Sequence, residues 1–231
     1  MIDAMDDQRW PATWDATLET PVRCRAARIL LLFSVVSTLT VLFALMAFDD
    51  APGELPPTPG KWPVTSALPR SSGRELLVFV HPFCGCTDAT VAELAMIPGA
   101  LLPSAPPPAL TFVVFRPGPD SSWTMSALRG KASLLPRARF VWDDRAAEAR
   151  RFGVKTSGTV LLYEADGRLL FHGGVTGERG HQGDNFGLSA LLGSLRNPSP
   201  GSAPAIPRTS AVFGCAIGAT AGRNTGILVA P

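Results

Sequence analysis

The sequence has little net charge and few histidines. Its 21 Lys and Arg residues and 19 Asp and Glu residues leave a formal net charge of +2, and there are only 3 histidines. A protein that binds nucleic acid normally carries a dense basic stripe, and no such run occurs here. We therefore expect no nucleic-acid partner. The chain also has no internal repeat.

Cysteine is scarce too, with 4 residues in 231. They are too few and too scattered to staple a disulfide-rich miniprotein. A four-sulfur zinc site would need a second CxC or CxxC pair, and because none exists that site is excluded. The hydrophobic content of 46% is enough for the core of one domain of ordinary size with extensions.

One long apolar run, residues 29–48, contains no charged residue. Twenty residues is the length at which a helix spans a bilayer. Three arginines crowd its entry side and two aspartates follow its exit, so the positive-inside rule predicts a cytoplasmic tail at 1–28 and a transmembrane anchor at 29–48. A cleaved signal peptide and a buried core helix are the alternatives. The run is longer than a signal-peptide core and lacks a polar face, which favours the anchor.

This topology predicts a single-pass protein of a bacterial-type inner membrane, with its C-terminal domain in the periplasm. Residues 49–73 are rich in proline, which predicts an extended linker that holds the domain off the membrane. Residues 74–196 are expected to form the domain. Residues 197–231 predict a flexible C-terminal tail, in which only 211–215 has the apolar character to dock.

Short apolar runs alternate with helical segments through the predicted domain. The order βαβαββα predicts an α/β fold whose mixed sheet is flanked by helices. We expect strands at 75–80, 110–115, 140–142, 159–163 and 168–171, and helices at 87–97, 121–128, 145–152 and 188–196.

The dithiol Cys84-Gly85-Cys86 lies between a predicted strand and a predicted helix. Free amides and the dipole at a helix N-terminus stabilise a thiolate, which is the reactive form. We expect Cys84, on the exposed turn, to attack and Cys86 to resolve the mixed disulfide. A disulfide across one residue is strained, and Gly85 would relieve part of the strain by reaching angles closed to other residues. Strain makes a disulfide more oxidising, which favours a donor or isomerase over a strong reductant.

Two sequence elements resemble a known family. Residues 78–87 read VFVHPFCGCT, and residues 152–185 read FGVKTSGTVLLYEADGRLLFHGGVTGERGHQGDN. Together they resemble the RedB-type branch of membrane-anchored thioredoxin-like proteins, related more distantly to the TlpA-type periplasmic thioredoxins. The resemblance covers about residues 62–215. It implies a thioredoxin-like sheet and a location outside the cytoplasm more than it implies a substrate.

The resemblance also marks two departures from ordinary thioredoxins. Thioredoxins carry a cis-proline facing the dithiol, just before the strand that Thr159 opens here, and the matching residue is Gly158. That proline shapes the partner groove and helps keep metal from the thiols, so its absence puts thioredoxin-like substrate binding in question. Thioredoxins also bury an acid six residues before the first cysteine, where this chain has Val78. His81 could take over the proton work, or it is an exposed strand-end histidine without a role.

Two more histidines accompany a glycine-rich stretch, residues 173–187. His172 precedes the stretch and His181 lies within it. The stretch could fold over the dithiol as a lid or bring one histidine to it. Alternatively, it is an insertion capped by Asp184 or Asn185 ahead of the last helix.

The two remaining cysteines lie far from the dithiol in sequence. Cys215 is a third redox thiol, a metal ligand or simply a small buried hydrophobic residue. Cys24 lies on the predicted cytoplasmic side, where it is inert or lipidated.

Three hypotheses follow. The first is a thiol-disulfide oxidoreductase that acts on protein thiols or disulfides in the periplasm, with a redox-active disulfide and no other cofactor. The second is a copper-binding or copper-delivery protein, in which Cys84, Cys86 and one of His81, His172 and His181 hold Cu(I). The third is a membrane-tethered adaptor without turnover. The oligomeric state is left open.

Overall fold

The computed structural model describes residues 20–101, 107–119, 126–132, 135, 138–196 and 206–218. The chain divides into two compact units, Met1–Phe48 and Asp49–Pro231. The apolar run lies in helix α1 (Thr20–Asp49), whose stretch Arg25–Asp49 is long and apolar enough to cross a membrane by length and composition. The hydroxyls of Thr38 and Thr40 donate to carbonyls one turn earlier, so these polar groups are paired within the helix.

A single mixed sheet organises the second unit. Its strands are β1 (Glu75–Val80), β2 (Ala109–Arg116), β3 (Arg139–Asp144), β4 (Thr159–Tyr163), β5 (Leu169–Gly173) and β6 (Arg208–Thr209). The order is β3-β2-β1-β4-β5-β6. Strands β1, β2 and β3 are parallel, β4 runs antiparallel to β1 and β5, and β6 pairs in parallel with β5. The predicted mixed α/β sheet is confirmed.

Helices flank this sheet, also as predicted. They are α2 (Cys86–Ala95), α3 (Ile97–Ala100), α4 (Ser126–Lys131), α5 (Ala147–Arg151) and α6 (Phe186–Arg196). The helix expected over 87–97 is split in two, because Pro98 is accommodated in the first turn of a separate short helix, where a missing amide costs little. The first part of the helix expected at 121–128 lies outside the described residues.

Both faces of the central strand are buried. Along β1, Val78 and Val80 belong to one hydrophobic cluster and Leu77 and Phe79 to another. Since successive strand residues point to opposite faces, this pattern requires cover on each side of the sheet. It explains why the sequence of β1 is apolar throughout instead of alternating.

The proline-rich segment 51–73 has no helix or regular strand, yet it packs against the sheet. Trp62 is 9% exposed, and its ring makes edge contacts with Phe152 and Tyr163 at 5.2 Å between centroids. Its amide donates to the carbonyl of Gly167 at 2.8 Å. The segment expected to be a free linker therefore contributes to the core of the second unit.

Candidate active site

The dithiol lies where β1 passes into α2. The amide of Cys84 donates to the carbonyl of His81 at 3.0 Å, and the amide of Thr87 donates to the carbonyl of Cys84 at 3.0 Å. These two turns carry the chain from the strand end into the helix, which begins at Cys86. The expected strand, CxC and helix order is therefore present.

One expectation about this turn is wrong. Cys84 is only 3% exposed, although the preceding Phe83 is 67% exposed. The attacking cysteine was expected on an exposed turn, but the C-terminal part of the chain lies against it. The backbone amide of Cys215 donates to the Cys84 sulfur at 3.4 Å. This contact joins residues 131 positions apart, so no local pattern could reveal it.

Several donors converge on the Cys84 sulfur. Burial by itself raises the pKa of Cys84, but hydrogen bonds from the thiol and amide of Cys215, the amide of Cys86 and the hydroxyl of Ser157 outweigh it. The net effect is to lower the pKa of Cys84. The Ser157 hydroxyl is itself oriented, because it accepts a hydrogen bond from the amide of His81 at 2.9 Å. The site therefore favours a thiolate at Cys84.

The pKa of Cys86 is shifted in the opposite direction, upward. It is 9% exposed. Burial and the nearby charge of Cys84 raise the pKa of Cys86, whereas the amide of Gly180 and the charge of Arg179 lower it in part. A thiolate at Cys84 and a protonated thiol at Cys86 are the states that the expected roles of attacker and resolver require.

Cys215 is the third thiol of the site. The residue is exposed, although its sulfur lies against Cys84. Partial burial of the sulfur, its hydrogen bond to Cys84 and the charge of Cys84 raise the pKa of Cys215. The sequence left its role open, and the structure brings it into contact with the predicted nucleophile.

The C-terminal segment (206–218) is fixed along its length. Its strand β6 extends the sheet, the amide of Gly174 donates to the carbonyl of Ala211 at 3.1 Å, and the amide of Ile217 donates to the carbonyl of Lys155 at 2.7 Å. Next to the site, the amide of Ser157 donates to the carbonyl of Cys215 at 2.8 Å. Residues 206–218 are thus part of the folded unit, whereas a flexible tail was expected here, with only 211–215 able to dock.

Gly214 allows the closest of these approaches. A Cβ on Gly214 would overlap the carbonyl oxygen of Ser157 and lie 2.9 Å from its carbonyl carbon. Since Cβ atoms are essentially never found so near a backbone atom, only glycine fits this position without a shift of the segment. The residue before Cys215 therefore sets how closely Cys215 can approach Cys84.

The glycine-rich stretch also contacts the site. Besides the Gly180 amide, which interacts with Cys86, Arg179 donates to the carbonyl of Gly214 at 2.8 Å. The amide of Gly183 donates to Glu93 on α2 at 2.5 Å. The stretch also caps the last helix, because Asn185 accepts a hydrogen bond from the amide of Leu188 at 2.7 Å. Asn185 thus caps α6, as one interpretation predicted, and the stretch also contacts Cys86.

The three histidines lie in three different environments. The ring of His172 is buried in β5 and its Nε2 lies 2.8 Å from the hydroxyl of Thr58, and burial lowers the pKa of His172 to about 4. His181 is exposed and its Nδ1 lies 3.4 Å from Glu178. His81 is the histidine in the turn that leads to Cys84. Its Nδ1 accepts from the amide of Phe83 at 3.3 Å, and burial lowers its pKa.

Two glycines of the predicted site differ in their backbones. Gly158 has φ +89°, an angle that favours glycine, and its amide donates to the carbonyl of Phe79 at 2.8 Å. The position that matches the cis-proline thus has a positive φ, and Thr159, directly after it, begins β4. Gly85, expected to use angles closed to other residues, has ordinary helical angles of φ −58° and ψ −28°. The expectation concerns the CxC disulfide, and the thiols are free in this structure, so it stays a prediction.

A cavity of about 510 Å³ lies beside the segment that carries Cys215. Its lining includes Gly214 and the cationic side chains of Arg150, Lys155 and Arg179. The acidic Glu54 offsets part of this charge by pairing with Lys155 at 2.5 Å. Within the described part of the chain, no group of three or more His, Cys, Asp or Glu side chains has the geometry of a metal site.

Comparisons with known proteins concern the fold. No protein-family model matches the chain, and no curated protein matches it. Among solved structures, an uncharacterized conserved protein from Geobacillus kaustophilus aligns at 15% identity over 75% of this chain and 95% of its own, with a TM-score of 0.45. A secreted Mycobacterium tuberculosis disulfide oxidoreductase homologous to E. coli DsbE aligns at 17% identity over 54% of this chain and 81% of its own, with a TM-score of 0.38. M. tuberculosis DsbF aligns at 13% identity over 54% and 79%, with a TM-score of 0.34.

Proposed function

We propose that this protein is a membrane-anchored thiol-disulfide oxidoreductase in which Cys84 is the nucleophile and Cys86 the resolving thiol. One observation carries the proposal: hydrogen-bond donors converge on the buried sulfur of Cys84 and lower its pKa, while the pKa of the adjacent Cys86 is raised. Two thiols with opposite pKa shifts at a strand-to-helix turn suit thiol-disulfide exchange, because one is poised to attack and the other stays protonated until needed.

The chemistry balances with the protein's own thiols and one substrate disulfide. The Cys84 thiolate attacks one sulfur of the substrate disulfide, the substrate S–S bond breaks, and the second substrate sulfur leaves as a thiolate. Cys86 then loses its proton and attacks the Cys84 sulfur, which releases the first substrate sulfur. Two electrons have passed to the substrate, and the protein is left with one disulfide. The reverse sequence oxidises a substrate dithiol.

The location supports protein thiols or disulfides outside the cytoplasm as partners. Helix α1 is apolar enough to span a membrane, and the arginines before residue 29 favour a cytoplasmic N-terminus. The domain would then lie in the periplasm, where disulfides persist. The HPxCxC and GGVTGERGHQGDN elements support a RedB-type assignment within the thioredoxin-like proteins. The strain of a CxC disulfide supports action as a donor or isomerase of disulfides.

The test is a redox titration of the full chain in detergent, in glutathione buffers of graded potential. We expect one reversible two-thiol couple that disappears in Cys84→Ser. The matched control is Cys24→Ser, which removes a thiol on the predicted cytoplasmic side and should leave the couple unchanged. A couple that survives Cys84→Ser would contradict the proposal.

The copper alternative is tested in the same preparation with Cu(I) and a competing chelator. Tight copper binding that requires both thiols of the CxC and one histidine would favour a copper-binding protein over the oxidoreductase. The oxidoreductase predicts that the chelator keeps the copper. Of the three histidines, His81 would be the variant to compare, because it lies in the turn that leads to Cys84.

A further inference from the structure

Cys84 has two possible disulfide partners. Its sulfur interacts with the thiol of Cys86 and with the thiol and amide of Cys215. The CxC motif suggests the first pair. The geometry of the two approaches differs, however, and it favours the second.

The Cys84 and Cys86 thiols share a hydrogen bond, but the backbone between them is helical. Gly85, between the two cysteines, has helical angles, and Cys86 is the first residue of α2. Residues two apart in a regular helix are separated by about 160° around the axis, so a helical Gly85 does not aim the two Cβ atoms directly at each other. Cysteines whose Cβ vectors diverge cannot be bridged without movement of the backbone. A disulfide in the CxC would therefore require the start of α2 to change conformation.

Cys215 approaches from a separate segment and has no such restriction. Its amide nitrogen lies 3.4 Å from the Cys84 sulfur, so its Cα lies within about 4.9 Å of that sulfur. Both neighbours of Cys215 are held in place: Arg179 donates to the carbonyl of Gly214, and Ala216 forms a bridge with Thr156. The segment thus presents Cys215 to Cys84 from a fixed backbone.

Exposure separates the roles of the two sulfurs. Cys84 is 3% exposed, so the docked C-terminal segment must move before a protein substrate can reach its sulfur. Cys215 is exposed. In a disulfide between the two residues, the outer sulfur would belong to Cys215 and the inner one to Cys84.

This inference rests on the proposed oxidoreductase function but revises the partner thiol: we propose that Cys84 bonds Cys215 instead of Cys86 in the disulfide that exchanges with substrate, and that the substrate thiolate attacks the outer sulfur of Cys215. The step breaks the Cys84–Cys215 bond and forms a mixed disulfide between substrate and Cys215. Cys84 leaves as a thiolate. The second thiol of the substrate then attacks the substrate sulfur of the mixed disulfide and releases Cys215, which takes up a proton. Two electrons pass from the substrate dithiol to the protein, and a second disulfide compound, such as glutathione disulfide, reoxidises it.

The electrostatics of the site suit this direction of attack. A leaving thiol of lower pKa leaves faster. The hydrogen bonds from Cys86 and Ser157 that lower the pKa of Cys84 act on the sulfur that leaves, and the pKa of Cys215 is raised. Attack on the outer sulfur is therefore favoured both by access and by the stability of the departing thiolate.

The experiment maps disulfides in the full chain, equilibrated in detergent with reduced and oxidised glutathione, alkylated in acid and digested without reduction. We expect a cross-linked peptide pair that contains Cys84 and Cys215, in wild type and in Cys86→Ser. In Cys215→Ser, exchange with a dithiol peptide should slow at least tenfold, and the trapped mixed disulfide of the wild type should be on Cys215.

Two results separate the possible failures. If wild type forms only the Cys84–Cys86 bond and Cys215→Ser exchanges at the wild-type rate, the role of Cys215 is refuted while the oxidoreductase stands. If wild type forms no disulfide that depends on Cys84, the proposed function itself fails. Because the linkage is read in wild type, misfolding of a variant cannot produce either result.

Discussion

Replacing Gly214 by alanine tests how the C-terminal segment controls Cys84. The added Cβ would lie 2.9 Å from the carbonyl carbon of Ser157 and closer still to its oxygen, whereas ordinary contacts begin at 3.4 Å. The segment must move outward to accommodate the methyl group. Since the amide of Cys215 is already 3.4 Å from the Cys84 sulfur, a shift of about 1 Å breaks that hydrogen bond.

The size of the effect follows from the lost hydrogen bond. A hydrogen bond to a charged group contributes about 1.5–3 kcal/mol, and sulfur is a weak acceptor, so we take the lower value. A free-energy difference of about 1.4 kcal/mol is a factor of ten in an equilibrium. Below the midpoint of its titration, the fraction of Cys84 present as thiolate should therefore fall about tenfold in Gly214→Ala.

The assay is the pH profile of Cys84 alkylation by iodoacetamide, read on the Cys84 peptide by mass spectrometry. The midpoint reports the thiolate, and the plateau at high pH reports access. We expect the midpoint to move to higher pH while the plateau stays the same or rises. Gly60→Ala is the matched control, because a Cβ there meets nothing within 4 Å. An unchanged midpoint in Gly214→Ala would refute the role of the segment in stabilising the thiolate.

Three further predictions concern charge and packing. First, the pKa of His172 is about 4 in the folded protein and about 6.5 in the unfolded chain, so the unfolded chain takes up the proton first as pH falls. Unfolding titrations should show the free energy of unfolding dropping by about 2 kcal/mol from pH 7 to pH 5. This pH dependence should vanish in His172→Gln and persist in His181→Gln. Second, Trp62→Ala should cost about 3–5 kcal/mol of unfolding free energy, whereas Val64→Ala, at a position 99% exposed, should cost little. Third, because cations line the cavity beside Cys215, the protein disulfide should exchange faster with anionic glutathione than with cationic cysteamine in stopped-flow measurements. Added salt should narrow the difference between the two rates.

Each of these has a contrary outcome. Equal pH dependence in His172→Gln and wild type would assign the acid sensitivity to other groups. Equal stability losses at positions 62 and 64 would mean that the proline-rich segment is not part of the core. Equal exchange rates for glutathione and cysteamine would mean that the substrate does not approach through the cavity.

The fold was predictable because its signals are local. Apolar runs of five to eight residues, such as β1 and β4, predict the strands, and Asp166-Gly167, between β4 and β5, is a typical hairpin turn sequence. The dithiol was predictable for the same reason, since the strand end and the helix start lie on either side of it. Element order then limits a mixed sheet to few arrangements.

The surroundings of the thiols depend on contacts between distant residues. Cys215 reaches Cys84 because the C-terminal segment returns to the edge of the sheet at β6, a strand of two residues with no apolar signal. The burial of Trp62 likewise depends on Phe152 and Tyr163, about a hundred residues later. Proline-rich composition predicts an extended backbone, and the structure has no helix or regular strand in this segment. It carries no information about which surface an extended segment lies on.

The most direct test of the central claim is turnover. Catalytic amounts of the full chain in detergent are mixed with a reduced dithiol peptide and glutathione disulfide, and peptide oxidation is followed by chromatography. The oxidoreductase predicts oxidation well above the uncatalysed rate with wild type and with Cys24→Ser, and the uncatalysed rate with Cys84→Ser. Acceleration that persists without Cys84, or its absence in the wild type, would contradict the assignment.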